Sequence, residues 1–122
     1  MIIQVKVKSV YGNIDNHEIR LRYKKYLEFS CEEINVLITH IGGFPGKYVK
    51  EVEVIIKNKP PNLFICGHSH ILRVINDKKL GLLHINPGAA GNTGIHKVKT
   101  IIIFNINVDK ISNLKVIQLQ RK

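Results

Sequence analysis

The stretch from Lys47 to Cys66 restricts the fold of this chain more than any other. From about Lys47 to Lys57, Val49, Val52 and Ile56 recur at helical spacing, which predicts a helix with one apolar face. Pro60 and Pro61 stop that helix. Asn62 to Cys66 then forms a short, continuous apolar run, the pattern expected of a strand covered on both faces. Ile34 to Thr39, upstream of the helix, also reads as strand. A single crossover helix between two strands places the chain in the α/β class.

The remaining signals are mostly β. Val5 to Tyr11 alternates apolar with polar residues, Val5 and Val7 facing one side until Val10 breaks the period. Lys25 to Ser30 and Ile34 to Thr39 flank Cys31-Glu32-Glu33 and predict a hairpin. Ile71 to Ile75 and Leu80 to Ile85 flank Asn76-Asp77-Lys78-Lys79 as a second hairpin. Ile101 to Val108 and Leu114 to Leu119 form a third. No repeat, low-complexity tract or linker interrupts the chain, so its 122 residues are expected to form one domain, residues 1–122.

Apolar content of 44% and charged content of 23% are ordinary for a soluble globular protein. No apolar run approaches the roughly 20 residues needed to span a bilayer, and no signal-peptide pattern opens the chain. The expected location is therefore cytoplasmic, with no membrane partner. Cys31 and Cys66 fit no metal or redox spacing, and Cys66, inside an apolar run, reads as a buried thiol. A net charge of +10 would attract anionic substrates or nucleic acid. Yet the lysines, Lys24, Lys50, Lys57, Lys78, Lys97 and Lys115 among them, are scattered, and the chain is rich in Ile and Asn. A compositional bias of the source genome accounts for them better than a dedicated nucleic-acid face, and no RNA-binding aromatic motif or helix-turn-helix supports the latter.

Chemistry gathers where strands end. The first predicted strand runs into Tyr11-Gly12-Asn13, the second into Thr39-His40-Ile41-Gly42-Gly43. Others run into Gly67-His68-Ser69-His70 and Asn86-Pro87-Gly88. In open sheets with crossover connections, ligands bind outside the carboxyl ends of strands. A lone His40 would more often be a satisfied polar residue, and Asn13 after Gly12 an ordinary turn residue. Two imidazoles two residues apart on a glycine-hinged turn are more informative, because they can address two neighbouring metal ions.

In this order, Gly12-Asn13-Ile14-Asp15, Thr39-His40, Gly67-His68-Ser69-His70 and Asn86-Pro87-Gly88 resemble the calcineurin-like metallophosphoesterases, and within them the small bacterial and archaeal phosphodiesterase branch. The resemblance extends from about Val5 to Leu119, and Gly-His-Ser-His followed by Asn-Pro-Gly is its most specific part. It implies an α/β fold of two-layer sheet-sandwich type. It also implies a metal-dependent phosphodiesterase, with Asn13, His40 and His68 as ligands to one ion and His70 as a ligand to a second. Two such ions about 3.5–4 Å apart clamp phosphoryl oxygens and lower the pKa of a shared water. Imidazole, amide and carboxylate donors suit Mn, Fe, Zn or Ni alike.

The family pattern also contains an Asp-x-His motif and a Gly-Asp motif ahead of the Gly-Asn motif, and neither precedes Gly12 here. The expectation is therefore an N-terminally truncated domain, lacking its first βα units, that holds at most one metal well and cleaves phosphoesters poorly. Sheet edges left open would invite association, so a homo-oligomer covering them is a candidate partner beside the phosphoester substrate. A non-catalytic interaction scaffold is the alternative, since a retromer subunit shares this architecture. Ile14 stands where many relatives carry a proton-donating His, a loss that favours diesters or good leaving groups. Asp15 is expected to orient the loop, His17 to be exposed, and His84 to be packed in the core or to support the ligands. The loop containing Gly88, Gly91, Asn92 and Gly94 is placed near the site, with His96 as a solvated residue. Phe44 and Tyr48 could border the pocket or pack inside.

Overall fold

The computed structural model describes residues 6–91 and 98–120. These residues form α1 (His17–Arg22), β1 (Tyr26–Cys31), β2 (Ile34–Thr39), β3 (Gly43–Phe44), β4 (Lys47–Tyr48), α2 (Lys50–Asn58), β5 (Leu63–Ile65), β6 (Arg73–Asp77), β7 (Leu82–Asn86), β8 (Val98–Asn107) and β9 (Lys110–Gln120).

Five strands make one sheet in the order β1-β2-β5-β7-β6. Its three central strands, β2, β5 and β7, run parallel, and β1 and β6 close the two sides antiparallel. The alternation of side chains along each strand sorts two cores. Leu37, Phe64, Cys66 and Leu82 face α2, where they meet Val52 and Ile56 together with Tyr48. Ile34, Val36, Leu63 and Ile85 face the opposite way, onto Ile102, Phe104, Ile106, Ile111 and Leu114 of the β8–β9 ribbon. The result is a mixed α/β sandwich of two sheets with α2 covering the outer face of the larger one. The run from Asn62 to Cys66 is the covered strand that its continuous apolar character predicted, with Leu63 and Phe64 essentially inaccessible.

Three sequence expectations need correction. Residues 6–9 form no strand; Val10 makes an isolated bridge to Lys24, and Val7 is exposed. An alternating segment becomes a strand only when a neighbouring ladder takes its backbone groups, and here the ladder is a single step long. The helix begins at Lys50 rather than Lys47, because Lys47 and Tyr48 pair with Phe44 and Gly43 across a Pro45-Gly46 turn. The second hairpin turns later than expected. Asp77 Oδ1 accepts from Leu80 N at 3.2 Å and Asp77 O accepts from Gly81 N at 2.8 Å, which draws Asp77 into β6 and leaves the turn to the residues after it. The short helix α1 had no apolar signature, and its start is set by Asn16, whose side chain accepts from Ile19 N.

Candidate functional site

Parallel pairing is what brings the candidate residues together. Ile38 of β2 is level with Ile65 of β5, which is level with Ile85 of β7, so the residues that follow all three emerge on one side. The ladder extends past the strands, with Cys66 N donating to Ile85 O at 3.0 Å and Gly67 N to His40 O at 2.8 Å. Tyr11 N donates to Lys24 O at 3.2 Å, which lays the Gly12–Asn13 loop beside the end of β2.

His40 is the hub. Its Nε2 lies 2.8 Å from Asn13 Oδ1 and 3.3 Å from His68 Nδ1. The two imidazoles meet edge to face, with ring centroids 5.2 Å apart. His70 lines the same cavity of about 290 Å³ as His40 and His68, together with Gly67 and the loop from Gly88 to Gly91. Among the described residues no three His, Cys, Asp or Glu side chains close on one point. A cation taken by His40 and His68 would therefore have the Asn13 amide oxygen as its third donor. These donors fit a divalent ion of intermediate softness. Burial, then the neighbouring His68, holds His40 below the usual imidazole range; Asp15 opposes the shift and His70 adds to it. His40 is thus neutral at neutral pH, the form in which imidazole binds metal.

The backbone that carries His68 and His70 is unusual. Both residues have left-handed conformations, φ 68° and φ 62°, which non-glycine residues adopt at a cost of about 1–3 kcal/mol each. Neighbouring polar groups hold them there. Asn86 is buried, and its Nδ2 donates to Gly67 O at 3.1 Å and to Ser69 Oγ at 3.0 Å. Ser69 Oγ also accepts from Ile71 N, and Gly88 N donates to Asn86 Oδ1. Thr100 fastens the next stretch, its hydroxyl donating to Pro87 O at 2.6 Å and its N–H to Ala89 O. Gly88 itself has φ 77°, and Thr100 occupies the space a side chain there would need. Nothing in the order of residues flagged Thr100, which acts from a distant strand.

The other candidates fall as follows. Asp15 Oδ2 accepts from Gly12 N at 2.6 Å, so the carboxylate shapes the loop, as expected. Ile14 is 91% exposed, and His17 is exposed at the start of α1. Tyr48 packs in the core and donates to Asp77 Oδ2 at 2.9 Å, while Phe44 lies on the surface under the Arg73 guanidinium. His84 is fully buried against Tyr48 and Phe64, and neither of its ring nitrogens has a hydrogen-bond partner among the described residues. Burial pushes the Cys66 thiol up to about 11. Asn92, Gly94 and His96 lie outside the described residues. No described helix is long and apolar enough to cross a membrane.

Comparison with known proteins agrees with this fold. Residues 1–109 match the sequence profile of the calcineurin-like phosphoesterase superfamily domain. No curated protein matches the chain. Among solved structures, Vps29 of Entamoeba histolytica complexed with zinc is similar at TM-score 0.67 and 17% identity, over 95% of this chain and 69% of that one. An archaeal phosphodiesterase is similar at TM-score 0.59 and 21% identity, over 90% of this chain and 67% of the other. A predicted phosphoesterase from Streptococcus pneumoniae is similar at TM-score 0.65 and 19% identity, over 92% of this chain and 61% of the other. At these identities the likeness concerns the fold, and the chain spans about two thirds of its neighbours' length.

Proposed function

The chain belongs to the calcineurin-like phosphoesterase superfamily, and from that premise we propose that it is a metal-dependent phosphodiesterase whose ion is held by Asn13, His40 and His68. The observation that carries the reading is the approach of Asn13 Oδ1 and His68 Nδ1 to the same atom, His40 Nε2, at 2.8 and 3.3 Å. His70, on the same cavity, is the donor available to a second ion. A divalent cation held there would supply Lewis acidity toward a phosphoryl oxygen and would lower the pKa of a bound water. The chain's own part is to present the neutral imidazole of His40, to hold His68 and His70 in left-handed backbone, and to keep the Asn13 loop in place through Asp15. Ile14 has no proton to give a leaving group, and general acid catalysis is worth roughly 10²–10⁴-fold. Aryl diesters and other substrates with good leaving groups fit best.

Three donors for one ion and His70 for another set the expected stoichiometry. Equilibrium dialysis against Mn²⁺ or Zn²⁺ should give one tightly held ion per chain, and bis(p-nitrophenyl) phosphate should turn over slowly and only with the ion present. A chain that binds no ion at these histidines sinks the proposal. The second reading is an interaction scaffold on the same fold, and one observation favours it. The outer face of the β8–β9 ribbon leaves Ile101, Ile103, Ile117 and Leu119 between 40% and 53% exposed. Under that reading His68→Ala leaves partner capture intact.

A further inference from the structure

A second cavity, of about 190 Å³, opens on the other side of His40 and is lined by Tyr11, Asn13, Arg20 and Lys25 among others. His40 lines both cavities, so whatever occupies this one lies next to the Asn13–His40–His68 cluster.

Arg20 is built into its wall. Its Nε donates to Asp15 O at 3.0 Å and its Nη2 to Asn13 O at 2.9 Å. The guanidinium carbon stands 4.8 Å from the centroid of the Tyr11 ring. Two hydrogen bonds and a stacked ring fix the plane of the fork, so little side-chain freedom is left to lose on binding. Of the five N–H groups of a guanidinium, these bonds engage two, and the other three remain for a ligand. The second cation on this wall is already matched, since Lys25 Nζ lies 3.0 Å from Glu51 Oε2. Asp15 is the nearby acid, and its carboxylate is turned to Gly12 N. Arg20 is thus the uncompensated, pre-oriented cation among the described residues of this cavity.

We infer that the Arg20 cavity is a subsite for a second anionic group of the substrate, a terminal phosphate on a diester whose scissile phosphorus sits over Asn13, His40 and His68. This rests on the phosphodiesterase reading for the position of the reacting phosphate, but the subsite itself needs no metal. A rigid fork with free N–H groups matches phosphate oxygens two at a time, which a lysine cannot do. Arg20 is a specificity-determining residue on this account. Its competing role would be purely structural, tying α1 to the Asn13–Asp15 loop.

Two probes that differ by one phosphate separate these roles: the dithymidine diester with and without a terminal 5′-phosphate. The metal-free chain should bind the phosphorylated form about tenfold more tightly, as one charge-assisted pair at a partly solvated site allows. Added salt should shrink that ratio. Arg20→Gln should bring the ratio to about one, and Arg20→Lys should keep part of it, each checked for folding by circular dichroism. Equal affinities in the wild-type chain, or a ratio that survives in Arg20→Gln, overturn the inference. So does an equal loss on both probes, which is the mark of the structural role. If Arg20→Gln does not fold, the wild-type ratio and Arg20→Lys still decide. Metal-loaded turnover keeps the two ideas apart: a wild-type chain that does not cleave bis(p-nitrophenyl) phosphate defeats the phosphodiesterase reading, while the affinity ratio still decides the subsite.

Discussion

The sheet carries histidine in two contrasting settings. At the carboxyl ends of β2 and β5, His40 and His68 touch each other at the mouth of a cavity, and His40 also touches Asn13. One strand further along, His84 points into the α2 side of the sheet between Tyr48 and Phe64, fully buried and, among the described residues, without a partner for either nitrogen. Burial lowers the proton affinity of both His40 and His84. The consequences differ because of what surrounds them. Near His40 other donor atoms converge, so a neutral imidazole is a ligand in waiting; around His84 the walls are rings and aliphatic groups, and a neutral imidazole is simply the tolerable form. Chemistry follows from convergence of donors and not from burial alone.

Substitutions can break this contrast. The largest effect is expected from His68→Ala, which removes one of three donors. Zn²⁺ affinity, followed by competition with a chromophoric chelator, should fall by more than the roughly 10–100-fold that loss of an outer supporting group costs. Survival of the wild-type affinity would show that His68 is no ligand. Asn86→Ala should cost about that 10–100-fold itself, because the buried amide clamps Gly67 and Ser69 and so holds two left-handed histidines. An affinity that stays at the wild-type level would mean the turn keeps its shape without the clamp.

How much of this could be read from the sequence depends on whether hydropathy and spacing encode it. The crossover from β2 through α2 to β5 was legible because continuous apolar runs and helical spacing are local signals. So was the position of His40, His68 and His70 after β2 and β5, whereas the strand expected before Asn13 is reduced to a single bridge at Val10. What was illegible is decided by individual polar and packing contacts, near or far along the chain. Asp77 shifts the second hairpin through its carboxylate, a bond that no pattern of hydropathy encodes. Arg20 carries no signal of its own in a chain of net charge +10, and only the carbonyls of Asn13 and Asp15 give it a fixed direction. His84 alternates in its strand like any half-buried residue, and its lack of a partner appears only once Tyr48 and Phe64 are packed over it.

That isolation has a thermodynamic signature. Burial, then the positive charge of Arg73, pushes His84 below its ordinary value, while the carboxylate of Asp77 opposes the shift. The folded chain thus binds a proton at His84 less readily than the unfolded chain, whose imidazole titrates near 6.5. Stability that depends on His84 is complete above that value and is lost as pH falls through the lower, folded one. His84→Phe keeps a ring of similar volume and removes two unpaired polar atoms, so it should stabilise the fold by about 1–3 kcal/mol at neutral pH. Urea denaturation at a series of pH values should also show a flatter decline below 6.5 in this variant than in the wild-type chain. The decline does not vanish, because His40 is lowered by burial as well and keeps its own share of the slope. An unchanged slope in His84→Phe would mean that the imidazole finds a partner in solution, and the contrast between the two histidine settings would then disappear.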